Sequence, residues 1–120
     1  MEEAIEAHAR ARDLYGEVGD HRGEAKAWLG LGEVLRDAGR VEDAIEAFSR
    51  SLENFRGLED WYRQGQVLQI LAGAHEEVHR TADARLAYLR AADAFARAHA
   101  SDEADRVRTR AAALDEPPTR

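Results

Sequence analysis

Residues 44–48, Ala44-Ile45-Glu46-Ala47-Phe48, decide how the rest of the chain is read. They recur forty positions earlier as Ala4-Ile5-Glu6-Ala7-His8 and forty positions later as Ala84-Arg85-Leu86-Ala87-Tyr88. Tyr15, Phe55 and Phe95 share a register, and so do Leu31, Leu71 and Ala111. Self-similarity at a fixed period marks a repeat architecture. Between the matches, apolar residues return at three and four positions, as in Trp28, Leu31, Leu35 and in Ala44, Ile45, Phe48, Leu52. That spacing gathers them on one stripe of a helix. Each forty-residue unit therefore reads as two amphipathic helices.

The breaks agree. Gly19-Asp20 ends a first helix and offers Asp20 as an N-cap, Gly39 stands where a left-handed residue closes a helix, and Gly57 with Asp60 repeats that pairing. At His79-Arg80-Thr81 glycine is missing, and Thr81 is the cap-like residue. Ser101 caps a last helix whose first turn carries Asp102 and Glu103, before Glu116-Pro117-Pro118 ends regular structure. The spans predicted are 2–18, 21–38, 41–57, 60–78, 81–99 and 101–115.

Composition narrows the class. In 120 residues Ala occurs 24 times and the β-branched residues together 12, which favours an all-α chain. A net charge of -7 works against general affinity for nucleic acid or anionic membrane. Zero Cys removes disulfides, thiolate metal sites and Cys nucleophiles, and fits a cytoplasmic setting. No apolar run reaches the length of a membrane span, and Met1-Glu2-Glu3 lacks a signal-peptide profile. Sixteen Arg against one Lys, with the alanine excess, points to a GC-rich bacterial genome.

Trp28-x-x-Leu31-Gly32-x-x-Leu35, with Gly39, Ala44, Phe48 and Ser51, resembles the tetratricopeptide repeat, and Leu68, Leu71, Ala72, His75, Ala84, Tyr88 and Ala91 occupy the same slots in the next unit. His75 departs where an aromatic is usual and His79 where glycine is usual. A spacing of 40 rather than 34 resembles the longer repeats of bacterial signalling and regulatory proteins and of the Leu-Gly-Asn scaffolds. The resemblance implies antiparallel helix hairpins stacked as a short right-handed solenoid of six helices. A single domain over 1–116 would hold a half repeat 1–18, repeats 21–57 and 60–99 and a capping helix 101–115, followed by a tail 117–120. Because the first helix matches only the second half of a repeat, Ile5, Ala9, Leu14 and Tyr15 are expected to be partly uncovered, as in a piece of a longer array or a chain that pairs with itself.

His75-Glu76-Glu77-Val78-His79 matches H-E-x-x-H, in which two histidines one turn apart bind zinc. The next helix carries the only downstream histidine, His99, to the far end of its hairpin, roughly 27 Å away at 1.5 Å per residue, so no third His ligand follows. Ser49, Ser51 and Ser101 lack a nucleophile elbow, and Gly30-x-Gly32 lies inside a helix, where it serves close packing rather than a phosphate. Arg106 and Arg110 share a face, but Asp102 four residues before Arg106 reads as surface pairing. Trp61-Tyr62 reads as packing at the start of the fourth helix. No catalytic residue, metal or cofactor is expected.

The resemblance implies that the first helix of each pair lines a concave wall. The partner-facing slots then fall on Lys26, Leu29, Gly30, Glu33, Arg36 and Asp37, and on Gln66, Gln69, Ile70, Gly73, Glu76 and Glu77. Gly30, Ile70, Glu33 and Gly73 stand where the Asn of a chaperone-tail clamp would be wanted, so such a clamp is not expected. Leu29 and Ile70 beside Glu33, Glu76 and Glu77 suit a helical or extended peptide with apolar anchors and some positive charge. The expected function is a non-catalytic protein- or peptide-interaction module, part of a larger bacterial regulator or scaffold. The alternatives are a self-association element with an empty groove, forming a homo-oligomer through uncovered terminal helices, and a peptide-sensing regulator domain.

Overall fold

A computed structural model describes residues 2–114. Among them are six α-helices and no strand: α1 Glu2–Glu17, α2 His21–Asp37, α3 Val41–Gly57, α4 Trp61–Glu77, α5 Thr81–Arg97 and α6 Ser101–Leu114. The predicted boundaries agree within two residues. The end of the last predicted helix at 115, the stop at Glu116-Pro117-Pro118 and the tail 117–120 lie outside the described residues.

The joints explain the regularity. From α2 onward successive helices begin twenty residues apart, and all five joints close the same way. The residue ending each joint donates its N–H to the carbonyl five positions back: Asp20 to Tyr15, Arg40 to Leu35, Asp60 to Phe55, Arg80 to His75 and Ala100 to Phe95, at 2.8–3.1 Å. The residue before it is left-handed: Gly19, Gly39, Glu59, His79 and His99, with φ between 55° and 80°. This is the Schellman closure, which satisfies the last carbonyls of a helix. The closing residue also starts the next helix, as where the carbonyls of Asp20, Arg40, Arg80 and Ala100 accept from Glu24, Ala44, Ala84 and Ala104 N–H. Asp20 adds a side-chain cap, Oδ1 accepting from Gly23 N–H at 2.8 Å.

Three cap expectations need correction. Gly57 is the last helical residue of α3, and Glu59 takes the left-handed position. Thr81 and Ser101 are the first helical residues of α5 and α6; Arg80 precedes α5 as its N-cap and makes no side-chain cap bond. The fixed joint length outranks side-chain capping preference at these positions.

The chain divides into two compact units, Met1–Asp60 and Trp61–Arg120. In the first, α2 packs on both α1 and α3. Gly32 lies so close to Phe48 that an added Cβ would meet the ring at 2.5 Å, and Ser51 Oγ donates to Ala25 O at 2.8 Å. On the other side of α2, Gly23 lies against Tyr15 and Gly30 against His8. The glycines inside α2 thus serve close packing, as expected, and the contacts run antiparallel. Arg22 Nη1 donates to Asp60 Oδ2 at 2.6 Å and ties the start of α2 to the end of the unit. In the second unit α5 packs on both α4 and α6. Phe95 is buried against Gly65, with the Tyr62 ring edge-on at 5.5 Å. Ala104, Val107 and Ala111 form the buried stripe of α6.

Candidate functional site

The expected partner-facing residues fall in helical register on α2 and α4, and each unit presents its own set. On α2, Lys26, Glu33 and Asp37 are exposed, while Leu29 and Arg36 are half-buried. Gly30, half-buried, is taken up by His8 of α1. On α4, Gln69 and Glu77 are exposed, and Gln66, Ile70, Gly73 and Glu76 are half-buried. Leu29 and Ile70 are the apolar members of the two stripes. Each is only partly covered, whereas Leu31, Leu35, Leu68 and Leu71 on the same helices are buried.

Glu76 has a second engagement that sequence spacing did not announce. Its Oε2 accepts from Tyr88 Oη at 2.6 Å and from Arg110 Nη2 at 3.0 Å, so one carboxylate joins α4, α5 and α6. The Tyr88 hydrogen bond, with Arg110 beside it, holds the Glu76 carboxyl below the usual carboxylate range against the opposing effect of burial. Burial, followed by the bond to Glu76, pushes the Tyr88 phenol up. At the other end of the unit Tyr62 Oη donates to Glu103 at 2.9 Å, and that bond raises its phenol. No local motif marks these pairs, since their members lie 12 to 41 residues apart. A weaker signal existed: Tyr88 fills a buried aromatic slot and carries a hydroxyl that burial obliges to find a partner.

Arginines also cover the two tryptophans. Arg12 lies over Trp28 and Arg97 over Trp61, each guanidinium carbon 4.6 Å from the ring centroid. Trp61 and Tyr62 thus pack within their own unit. Arg106 pairs with Glu103 at 3.9 Å rather than with the Asp102 anticipated from sequence, and Arg110 with Glu76.

His75 and His79 are one turn apart in sequence, but the helix ends between them: His75 is in α4 and His79 is the left-handed residue of the joint. His99 occupies the matching joint at the far end of α5. Among the described residues no three His, Asp or Glu side chains gather as a group that could hold a metal ion. Ser49 Oγ donates to Ile45 O within α3, and Ser51 Oγ donates across to Ala25 O of α2. No described helix is long and apolar enough to cross a membrane.

Comparison with known proteins places this arrangement. No curated protein matches the chain. Among solved structures, the crystal structure of BtubC (BKLC) from P. vanneervenii is similar, with a TM-score of 0.66 at 17% identity over 97% of this chain. The match covers 59% of that structure's chain, and at this identity it speaks for the fold alone. The tetratricopeptide repeat model matches residues 1–57 and 23–97. Repeats of this kind mediate protein–protein interaction, bind proteins or peptides, and are typically non-catalytic. With the forty-residue register, the paired helices and this match in agreement, the chain belongs to the tetratricopeptide repeat family.

Proposed function

We propose that the chain is a non-catalytic module that docks a protein or peptide on the first-helix stripes of its two units, within a bacterial regulator or scaffold. The observation that carries this reading is the incomplete covering of Leu29 and Ile70, which fall on neighbouring slots of the two first-helix stripes, among exposed Lys26, Glu33, Gln69 and Glu77. A half-covered apolar side chain ringed by polar groups gains most from a partner's apolar anchor, and the surrounding carboxylates favour positive charge on that partner. Glu76 contributes through its network with Tyr88 and Arg110 and holds the α4 stripe in place. The bacterial setting rests on the arginine and alanine bias, and a cytoplasmic one on the cysteine count.

Selection from a random peptide display library supplies the test. Peptides enriched on the wild-type chain are expected to lose at least tenfold in affinity, read by fluorescence polarisation, on a Leu29→Glu, Ile70→Glu double variant of unchanged helicity. Equal binding to both forms overturns the reading.

A further inference from the structure

The geometry points to α1 as a self-docking helix, which pairs antiparallel with α1 of a second copy of this chain. The proposal concerns a different helix from the stripes on α2 and α4 and does not depend on them. Ala4, Ala7, Ala11, Leu14 and Val18 follow one another at alternating steps of three and four, the seam of a two-helix coiled coil. Their equivalents in α5, Ala84, Ala87, Ala91 and Ala94, are all buried, as are Ala44, Ala47 and Ser51 in α3. The bond from Ser51 to Ala25 shows what that stripe faces: the first helix of the same hairpin, running antiparallel. In α1 no residue is buried; Leu14 is 57% exposed, and Val18, just past the helix end with its N–H still on Leu14 O, is 76% exposed. A stripe that elsewhere takes an antiparallel helix is here open.

Shape and charge choose a second copy as the occupant. An antiparallel pair that sets Leu14 against Ala11 of the second copy, and Val18 against its Ala7, makes four layers of large upon small, each layer repeated by the two-fold. The same alignment brings exposed Arg10 of each copy beside exposed Glu17 of the other. Arg12 does not compete, because it is held by Asp13 at 2.8 Å and by the Trp28 ring. One short helix pair buries less than a standard interface, so the dimer forms in the micromolar range or weaker and is sought at high protein concentration.

Sedimentation equilibrium over a concentration series tests this on the full chain. The wild type is expected to dimerise. Leu14→Asp, and separately Val18→Asp, which lies beyond the last turn of the helix, are each expected to weaken dimerisation at least tenfold with unchanged helicity. Arg10→Glu and Glu17→Arg are each expected to weaken it severalfold, and the two together to restore it to within about threefold of wild type. A monomeric wild type at millimolar concentration overturns the proposal, and so does a dimer indifferent to Leu14→Asp. Failure of the double charge swap to restore association overturns the antiparallel alignment.

Discussion

α1 and α5 occupy the same place in the repeat, yet α5 buries seven residues and α1 none. Phe95 is enclosed where its register mate Tyr15 is 40% exposed, and Ala94 is sealed where Leu14 faces solvent. Amphipathic pattern is common to both. What differs is company: α5 packs on both α4 and α6, while α1 packs chiefly on α2. In a repeat protein the burial of a position belongs to the neighbouring helix as much as to the residue. α6 illustrates the alternative fate of an edge helix, since its outward residues Asp105, Arg106, Arg108 and Thr109 are polar and need no cover.

The widest contrast should appear at the aromatic slot. Phe95→Ala is expected to cost about 3–5 kcal/mol through the cavity left among Gly65, Tyr62 and the α5 core, and Tyr15→Ala about 1 kcal/mol. Urea midpoints of the two variants check this, and equal losses would erase the distinction between the helices.

Next in size is Glu76→Gln, which weakens the charge-assisted bonds to Tyr88 and Arg110 that α1 has no counterpart for. A loss of about 1–2 kcal/mol is expected near neutral pH, with Arg110's exposure limiting its share. Because the folded Glu76 pKa lies below the ordinary 4.5, its contribution is fully present above that value and is lost as pH falls through the lower folded pKa. Wild type and variant should therefore converge in stability on acidification below about 4.5, as followed by thermal melting.

A smaller effect belongs to the joints on either side of the comparison. His79→Gly removes the left-handed strain of a side chain before α5 and should stabilise by up to about 1 kcal/mol, whereas Gly19→Ala in the joint after α1 should lose a similar amount. The smallest is Leu14→Asp in monomer at low concentration, expected within about 0.5 kcal/mol of wild type. Ala94→Asp at the equivalent position should prevent folding of the second unit, measured by circular dichroism.

Helix number, type and near-boundaries were legible because the apolar period and the repeat reinforce one another. The caps were less so: Thr81 and Ser101 carry capping side chains, but a joint fixed by backbone bonds puts each one residue inside its helix. Gly57 misled for the same reason, since the joint's left-handed position is two residues later and is filled by Glu59. In the candidate site, the register located Leu29 and Ile70, while the Glu76–Tyr88–Arg110 cluster stayed hidden because three helices must be assembled before its members meet. Tyr62 with Glu103 is the same case at the opposite end.

The identical joints have a consequence for growth. Any cut placed at a joint meets the same backbone geometry, so doubling residues 21–60 would insert a whole hairpin and leave every helix beside the kind of neighbour it already has. Doubling 41–60 alone would set two second-type helices side by side and mismatch large residues with large. Lineages and designers alike can extend such a chain cheaply only in even numbers of helices.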